Sequence, residues 1–345
     1  MNKINFQNIS KAEKTVICQE VARKTGMASF AVEKDWWVVQ ALALVFETAI
    51  AKHLVFKGGT SLSKAWNLIE RFSEDLDLAV DRSFFGFNGE LNKKEKTNLR
   101  KATSKYISEI FYPELEAKFK DKGFSEVNLQ IIEPESSDQD PRIIEIYFPN
   151  VMVSPGYIQP KIQLEIGCRS LREPFSVKAF SSLIDEQYPD SDFAQVPIEI
   201  PTVIPERTFL EKIFLLHEEF QRPHEKIRVD RLSRHLYDVY QLSKTGFAFN
   251  AINDKALYET IVEHRYTYTR FGGVNYNLHQ PQTINPIPGP DLIDAWEADY
   301  KTMQEQMIYG DSPDFIEMIK TIKNFVSQIN QLEWKMAVKF PIPKI

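Results

Sequence analysis

Two aspartates one residue apart, Asp75 and Asp77, follow a pair of glycines, Gly58 and Gly59, by sixteen to nineteen positions. Because side chains alternate along a strand, the segment DLDLAV directs both carboxylates to one face and its leucines to the other. Carboxylate oxygens are ligands that Mg²⁺ accepts, together with water and substrate phosphates. The spacing therefore predicts a divalent-metal site that serves phosphate chemistry.

The residues before the aspartates predict where the phosphates bind. Residues 54–56 form a short apolar run typical of a buried strand. The Gly58-Gly59 turn that follows allows a ligand close to the backbone, since glycine has no Cβ. Thr60 or Ser61 is expected to cap the next helix, whose first N–H groups can hold phosphate oxygens. A Walker-type NTPase is excluded, because GGTSLSK lacks the G-x-x-x-x-G-K-[ST] spacing.

These residues resemble a known family. Gly58-Gly59-Thr60 followed by Asp75-Leu76-Asp77 is similar to the first motif of the DNA polymerase β-like nucleotidyltransferase superfamily. The fuller sequence, FKGGTSLSKAW with RFSEDLDL, resembles the AbiEii-type nucleotidyltransferase toxins of bacterial toxin–antitoxin and abortive-infection systems. The resemblance implies transfer of a nucleoside monophosphate from an NTP to an acceptor hydroxyl, with Mg²⁺ or Mn²⁺ as cofactor.

The resemblance also implies a third metal carboxylate beside Asp75 and Asp77. Glu165 fits this position, because KIQLEIG alternates and places Glu165 on the polar face of a predicted strand. Glu145 and Glu199, on neighbouring predicted strands, remain alternatives. Removal of the acceptor proton is assigned to Glu165 as well.

Two further residues are implied by motifs in the second half of the chain. Lys212, in ERTFLEK, is expected to neutralise the triphosphate from an exposed helical position. Asp238, in an R-x-x-R-x-x-x-D pattern, is expected to help position the site. His235 stands where the family commonly has Asp, and we expect a surface role for it. The nucleotide-binding residues predicted in this way are Gly58, Gly59, Thr60, Lys64, Ser73 and Lys212.

The predicted fold class is α+β, a nucleotidyltransferase-like mixed sheet with flanking helices followed by a helical C-terminal domain. The 345-residue length suggests two domains. The proline-marked segment 196–205, VPIEIPTVIP, predicts the boundary. We expect a nucleotidyltransferase-like domain at 1–200 and a helical domain at 201–345 that completes the active-site cleft.

Side-chain environments can also be predicted for several residues outside the motifs. In the second helix, Trp36 and Trp37 are expected in the core, and Asp35 is expected on the surface. Lys57 and Lys64 are interpreted first as solvated lysines, with phosphate binding as the alternative. The charged segment 90–120 is expected to form one long solvated helix.

Composition limits the partners and the compartment. The formal net charge of −6 gives no global positive field, so a nucleic-acid substrate needs a local basic patch. Cys18 and Cys168 are too few for a disulfide framework and have no metal-ligand spacing, which favours a reducing cytosol. The N-terminus does not resemble a signal peptide, and no apolar run approaches the ~18 residues of a membrane span. We therefore expect a cytoplasmic protein without a membrane partner.

The leading functional hypothesis is a toxin that modifies RNA, with tRNA as the first acceptor by family resemblance and with an antitoxin encoded nearby. One alternative is a nucleotidyltransferase that acts on a small molecule or a protein hydroxyl. Another is a non-catalytic protein that uses the site to bind a nucleotide. The sequence leaves open the nucleotide, the acceptor and the oligomeric state.

Overall fold

The computed structural model describes residues 5–73, 75–133, 140–154 and 159–343. The chain forms two compact units. The first contains the residues through Asn67 together with Phe72–Val203, and the second contains Leu68–Arg71 and the residues from Ile204 onward. The short segment Leu68–Arg71 thus belongs to the second unit, which no composition shift in the sequence indicates.

The first unit contains seven strands and six α-helices among its described residues. The strands are β1 (Leu54–Lys57), β2 (Asp75–Val80), β3 (Asn128–Ile132), β4 (Arg142–Tyr147), β5 (Lys161–Gly167), β6 (Phe175–Phe180) and β7 (Ile198–Val203). The helices are α1 (Lys11–Thr25), α2 (Ser29–Val45), α3 (Gly58–Lys64), α4 (Lys93–Tyr106), α5 (Tyr112–Asp121) and α6 (Leu183–Gln187). The long helical segment predicted at 90–120 is confirmed: α4 and α5 continue into each other through a π-helical turn at Ile107–Phe111.

All seven strands form one mixed sheet in the order β3-β4-β5-β2-β1-β7-β6. Strand β2 runs parallel to β5 and antiparallel to β1. Strand β1 in turn runs parallel to β7. The predicted α+β fold class with a mixed sheet is confirmed.

The two faces of the sheet differ in chemistry, and this difference positions the site. Leu76 and Leu78 of β2 and Ile162 and Leu164 of β5 are almost completely buried on one face. Helix α2 covers this face, where the Trp37 ring stacks on Phe148 with 5.5 Å between centroids. The residues that alternate with them are polar and half-buried, as is usual for a sheet with one packed face. The functional side chains therefore lie on the second face.

Helix α2 is buried nearly all round, and this overturns two expectations. Trp36 and Trp37 are in the core as predicted, but Asp35 is only 3% exposed. Its Oδ1 lies 2.9 Å from Nζ of Lys64, and its Oδ2 accepts a 2.7 Å hydrogen bond from the backbone N–H of Leu183. The surface positions predicted for Asp35 and Lys64 are therefore wrong. Asp35 is buried and Lys64 is half-buried, and each charge is the counter-ion of the other.

The second unit is helical among its described residues. Its helices are α7 (Pro205–Glu219), α8 (Ser233–Ser243), α9 (Gly246–Asn253), α10 (Lys255–Tyr268), α11 (Ile293–Gln306) and α12 (Phe315–Asn330). Helix α8 packs against α7, α11 and α12. In the part of the chain that the structure describes, no helix combines the length and apolar character required to cross a bilayer.

The Asp35–Lys64 pair leads to a stability prediction. Asp35→Ala leaves the Lys64 ammonium, whose side chain is only 10% exposed, without this counter-ion, so we expect the free energy of unfolding to fall by about 3 kcal/mol. The matched control is Glu109→Ala, which removes an exposed pair with Lys105 at 3.9 Å and should cost less than about 0.5 kcal/mol. Urea unfolding of both variants measures the difference. Equal losses would contradict the role of the buried pair.

Candidate active site

The parallel pairing of β2 with β5 brings three carboxylates to one face of the sheet. Asp77 lies directly opposite Glu165, and Asp75 lies opposite Gln163. Paired residues of neighbouring strands point to the same side, so these four side chains are neighbours. All four are half-buried. Two strands more than eighty residues apart thus build one acidic cluster.

Burial and like charge act together on Glu165. Burial, followed by the negative charge of Asp77, raises the pKa of Glu165 to about 7, and the charge of Asp75 acts in the same direction. The Gln163 amide opposes this by donating a 2.7 Å hydrogen bond from Nε2 to Glu165 Oε1. Lys57 adds a positive charge, with its Nζ 3.9 Å from Asp77 Oδ1. The cluster is one that a divalent cation would stabilise.

The other two candidates for the third carboxylate are placed differently. Glu145 lies on β4, one strand beyond β5, where it accepts hydrogen bonds from Lys161 and Tyr147. Burial alone would raise the pKa of Glu145, but these two hydrogen bonds hold it below its usual range. Glu199 is exposed on β7, which is separated from β2 by β1. Of the three glutamates, Glu165 is the one opposite Asp77.

The glycine turn lies against this cluster. Gly58 has a φ of +81°, and a Cβ built there would lie 2.0 Å from Oδ2 of Asp77. The position therefore requires glycine for two reasons, its backbone conformation and the space that the Asp77 carboxylate occupies. Gly59 follows in the first turn of α3.

The hydroxyls after the glycines hold the turn in place. Thr60 donates a 2.5 Å hydrogen bond to the carbonyl oxygen of Asp75, and Ser61 donates one of 2.8 Å to the carbonyl oxygen of Gly58. The prediction that either residue caps α3 is wrong. The helix begins at Gly58, directly after the strand, and its N-cap is Lys57, which makes no side-chain cap.

The remaining nucleotide-binding candidates of the first unit are Lys64 and Ser73. Lys64 is directed to Asp35, which neutralises its ammonium. Ser73 is half-buried two residues before β2. Their assignment to nucleotide binding stays a prediction.

Lys212 and Asp238 meet in the second unit. Asp238 is completely buried, and its Oδ2 lies 2.7 Å from Nζ of Lys212. Arg71 donates to the same carboxylate from Nε to Oδ1 and from Nη2 to Oδ2, both at 2.7 Å. Sequence reasoning missed Arg71, although it opens the RFSEDLDL segment that was already singled out.

The exposed position predicted for Lys212 is wrong, since the residue is only 7% exposed. Helix α7 is buried on almost every side. The polar positions beside its apolar stripe, including Lys212, are therefore packed as well. Burial lowers the pKa of Lys212, while the charge of Asp238 opposes that shift. For Asp238 itself, burial would raise the pKa, but Arg71 and then Lys212 hold it well below its usual range.

His235 is half-buried, and the surface role predicted for it stays a prediction. Its Nδ1 lies 3.4 Å from the Lys212 ammonium. Burial, and next the positive charge of Lys212, lower the pKa of His235 well below its usual range. The imidazole is therefore neutral at physiological pH.

The carboxylates of the first unit are of the kind that could hold a metal ion. Among residues 5–73, 75–133, 140–154 and 159–343, no three His, Cys, Asp or Glu side chains are grouped closely enough to hold an ion by themselves. Mg²⁺ is commonly held by one or two carboxylates with the substrate phosphates and water completing its shell. The adjacent Asp75, Asp77 and Glu165 fit that kind of shared site.

The contact between Gly58 and Asp77 can be tested without an activity assay. Gly58→Ala and Gly123→Ala carry the same penalty for a positive φ, about 1–2 kcal/mol. A Cβ at Gly123 meets nothing within 4 Å, so only Gly58→Ala adds a clash. We expect a larger loss of unfolding free energy for Gly58→Ala, and the excess should shrink in an Asp77→Ala background. If the additional loss of unfolding free energy in Gly58→Ala is the same in the Asp77→Ala background, the clash does not involve the Asp77 side chain.

Comparison with known proteins bears on the family of this chain. The family model described as "Nucleotidyl transferase AbiEii toxin, Type IV TA system" matches residues 41–331. Among solved structures, MenT4, a nucleotidyltransferase toxin from Mycobacterium tuberculosis H37Rv, is 16% identical with a TM-score of 0.48, over 93% of this chain and 99% of that chain. JHP933 from Helicobacter pylori is 14% identical with a TM-score of 0.42, over 88% of this chain and 94% of that one.

Comparison with curated protein sequences gives no significant match. The family match, however, covers most of the chain, including both the glycine turn and the helices that carry Lys212 and Asp238. The chain therefore belongs to the AbiEii family of nucleotidyltransferase toxins of type IV toxin–antitoxin systems.

Proposed function

We propose that this nucleotidyltransferase moves a nucleoside monophosphate from an NTP to an acceptor hydroxyl at the polar face of the sheet. The observation that carries the proposal is the register that sets Asp77 opposite Glu165, with Gly58 packed against the Asp77 carboxylate. In this proposal Asp75, Asp77 and Glu165 hold Mg²⁺ or Mn²⁺. When bound, such a cation offsets phosphate charge and orients the substrate.

The chain's own residues set up the geometry around that site. Gly58 and Gly59 let the triphosphate approach the backbone, and Thr60 fixes the turn to β2 through the carbonyl of Asp75. Gln163 orients Glu165 through its amide. Lys57 provides a nearby positive charge for phosphate oxygens. Triphosphate binding by Lys212 and proton removal by Glu165 stay predictions of the family resemblance.

For the acceptor we propose RNA, and tRNA first. The acidic chain needs a local basic patch for this, and Lys96 with Arg82 and Arg169 is our candidate for that patch. After burial, the positive charges of Arg169 and Arg82 lower the pKa of Lys96. Family membership also implies an antitoxin partner, whose identity and mode of action are left open.

The central test is transfer of label from each NTP to total RNA in the presence of Mg²⁺. We expect Asp75→Asn and Asp77→Asn to lower transfer by about a hundredfold or more, because each removes one anionic ligand. Glu145→Gln is the matched control on the same face and should stay within about tenfold of wild type, since Glu145 is already paired with Lys161. Circular dichroism checks that all three variants are folded.

Transfer near the wild-type level by both aspartate variants would remove the site assignment. If Glu145→Gln loses as much transfer activity as the aspartate variants, Glu145 on β4 becomes the better candidate for the third metal carboxylate. Label that appears in protein or in a small molecule, with none in RNA, would replace the proposed acceptor and keep the enzyme class.

Ligand binding provides a second test. Metal and NTP each supply ligands to the other, so together they should raise the melting temperature more than the sum of their separate effects, by mass action on the native state. In Asp77→Asn the joint effect should disappear while the unliganded protein stays folded. A thermal-shift series measures both proteins with each NTP. Purely additive shifts in the wild type would argue against a shared site.

A further inference from the structure

Helix α1 carries apolar side chains on two of its faces. One face, with Cys18 and Val21, is buried where α1 packs against α2 and α6. A second face lines an open groove in the first unit with a volume of about 690 Å³. Its residues recur at helical spacing: Ile9, Ala12, Glu13, Val16 and Ile17. A surface helix needs one apolar stripe to pack on a core, so the packing of α1 does not require the second stripe.

The other wall of the groove is the segment 190–193, which the fold holds in place. The Phe193 ring packs against Phe6 and Tyr188, with 5.6 and 6.1 Å between ring centroids. The backbone N–H of Ser191 donates a 3.2 Å hydrogen bond to the carbonyl oxygen of Tyr188. Because this wall is ordered by contacts of its own, little conformational freedom is lost when a ligand binds against it.

The dimensions of the groove favour a helix over a small molecule. Along α1 the groove extends from Ile9 to Ile17, about 12 Å at the helical rise of 1.5 Å per residue. Val16, within this stretch, is 53% exposed, so the groove is open to solvent. Small-molecule sites enclose most of their ligand. An open groove of this length instead fits about two turns of an amphipathic helix, which inserts side chains at i, i+3, i+4 and i+7.

The charge of the groove indicates the kind of helix. Three of its nine lining residues are acidic, namely Glu13, Asp190 and Asp192, and none of the nine is basic. Asp190 and Asp192 are exposed, and no cation pairs with either of them among the residues that the structure describes. The carboxylates lie on both walls, since Glu13 is on α1 and the aspartates are on the opposite segment. A complementary helix therefore has basic residues on both sides of its apolar stripe.

We propose that this groove is a docking site for an amphipathic helix of a partner protein, with lysine or arginine residues beside the apolar stripe. Val16 and Phe193 pack against the stripe. The carboxylates of Glu13, Asp190 and Asp192 attract the basic residues and select against acidic helices.

Docking at this groove can be measured separately from nucleotide transfer. Helix α1 packs on α2, which covers the apolar face of the sheet, whereas Asp77 and Glu165 lie on the polar face. The groove also shares no residue with the proposed active site. Val16→Arg should therefore leave nucleotide transfer unchanged, and a failure of the proposed function would not affect the binding experiment.

The probe is a fluorescein-labelled peptide of about 14 residues, long enough to span the groove as a helix. It has leucines at the i, i+3, i+4 and i+7 positions of one face, lysines beside them, and alanine and glutamine elsewhere. Fluorescence anisotropy with the whole 345-residue chain measures its Kd. We expect saturable binding with a Kd of about 10 μM or lower. A peptide with glutamates in place of the lysines should bind about tenfold more weakly or worse. So should a peptide of the same composition whose leucines are spread around the helix.

Two variants of the protein test the apolar stripe. Val16→Arg puts a cation into the groove and should weaken binding of the lysine peptide by about tenfold or more. The matched control is Val177→Arg on β6, because Val177 is exposed to a similar extent, 59%, and does not line the groove. This control should leave the Kd within about twofold of the wild-type value.

A second pair of variants tests the charge. The double variant Asp190→Asn, Asp192→Asn should weaken binding by about fivefold and make it less sensitive to salt, because opposite charges attract less strongly when salt screens them. Its matched control, Glu109→Gln with Asp121→Asn, removes two exposed carboxylates elsewhere in the first unit. Circular dichroism and the melting temperature check that every variant is folded. If Val16→Arg does not fold, the two double variants decide.

Three results would overturn the proposal: no saturable binding of the lysine peptide by the wild type up to about 1 mM, equal binding of the lysine and glutamate peptides, or equal weakening by Val16→Arg and Val177→Arg. Analytical ultracentrifugation tests a different occupant. A wild-type dimer that Val16→Arg dissociates would identify a second copy of this chain as the ligand of the groove, and would overturn docking of a partner's helix.

Discussion

The pairing of β2 with β5 is the constraint on which the candidate site depends. It sets the Asp77 carboxylate directly opposite that of Glu165, and burial, followed by the negative charge of Asp77, raises the pKa of Glu165 to about 7. The apolar face of the same strands keeps this register, because a shift of one residue would turn the leucines of β2 out of the core and its aspartates into it. The hydrophobic core thus maintains an arrangement that electrostatics alone would oppose.

Buried ion pairs complete the structure on which that site is built. Lys64 pairs with Asp35 in the first unit, and Lys212 and Arg71 share Asp238 in the second. Such pairs offset the cost of taking charge out of water only when the geometry is good. They therefore favour one arrangement of the helices and exclude near alternatives. Lys64, Lys212 and Asp238 were predicted from motifs to act in the site, and the contacts observed for all three are ion pairs within the fold.

The functional conclusion has two levels. Membership of the AbiEii toxin family follows from the match over residues 41–331, and it makes the chain a nucleotidyltransferase. The metal, the nucleotide and the RNA acceptor are proposals that rest on the carboxylates of β2 and β5.

The sequence by itself determined the features that arise from local periodicity: the strand with alternating Asp75 and Asp77, the glycine turn, the polar face of KIQLEIG and the helical second half. Only the tertiary structure decided which glutamate lies opposite Asp77. It also decided that Asp35 and Lys212 are buried, and that Arg71 binds a carboxylate 167 residues away. The physical reason is that burial and pairing depend on which elements pack together. Strand register and helix contacts bring together residues that are far apart in the chain, and the local spacing of residues does not predict these contacts.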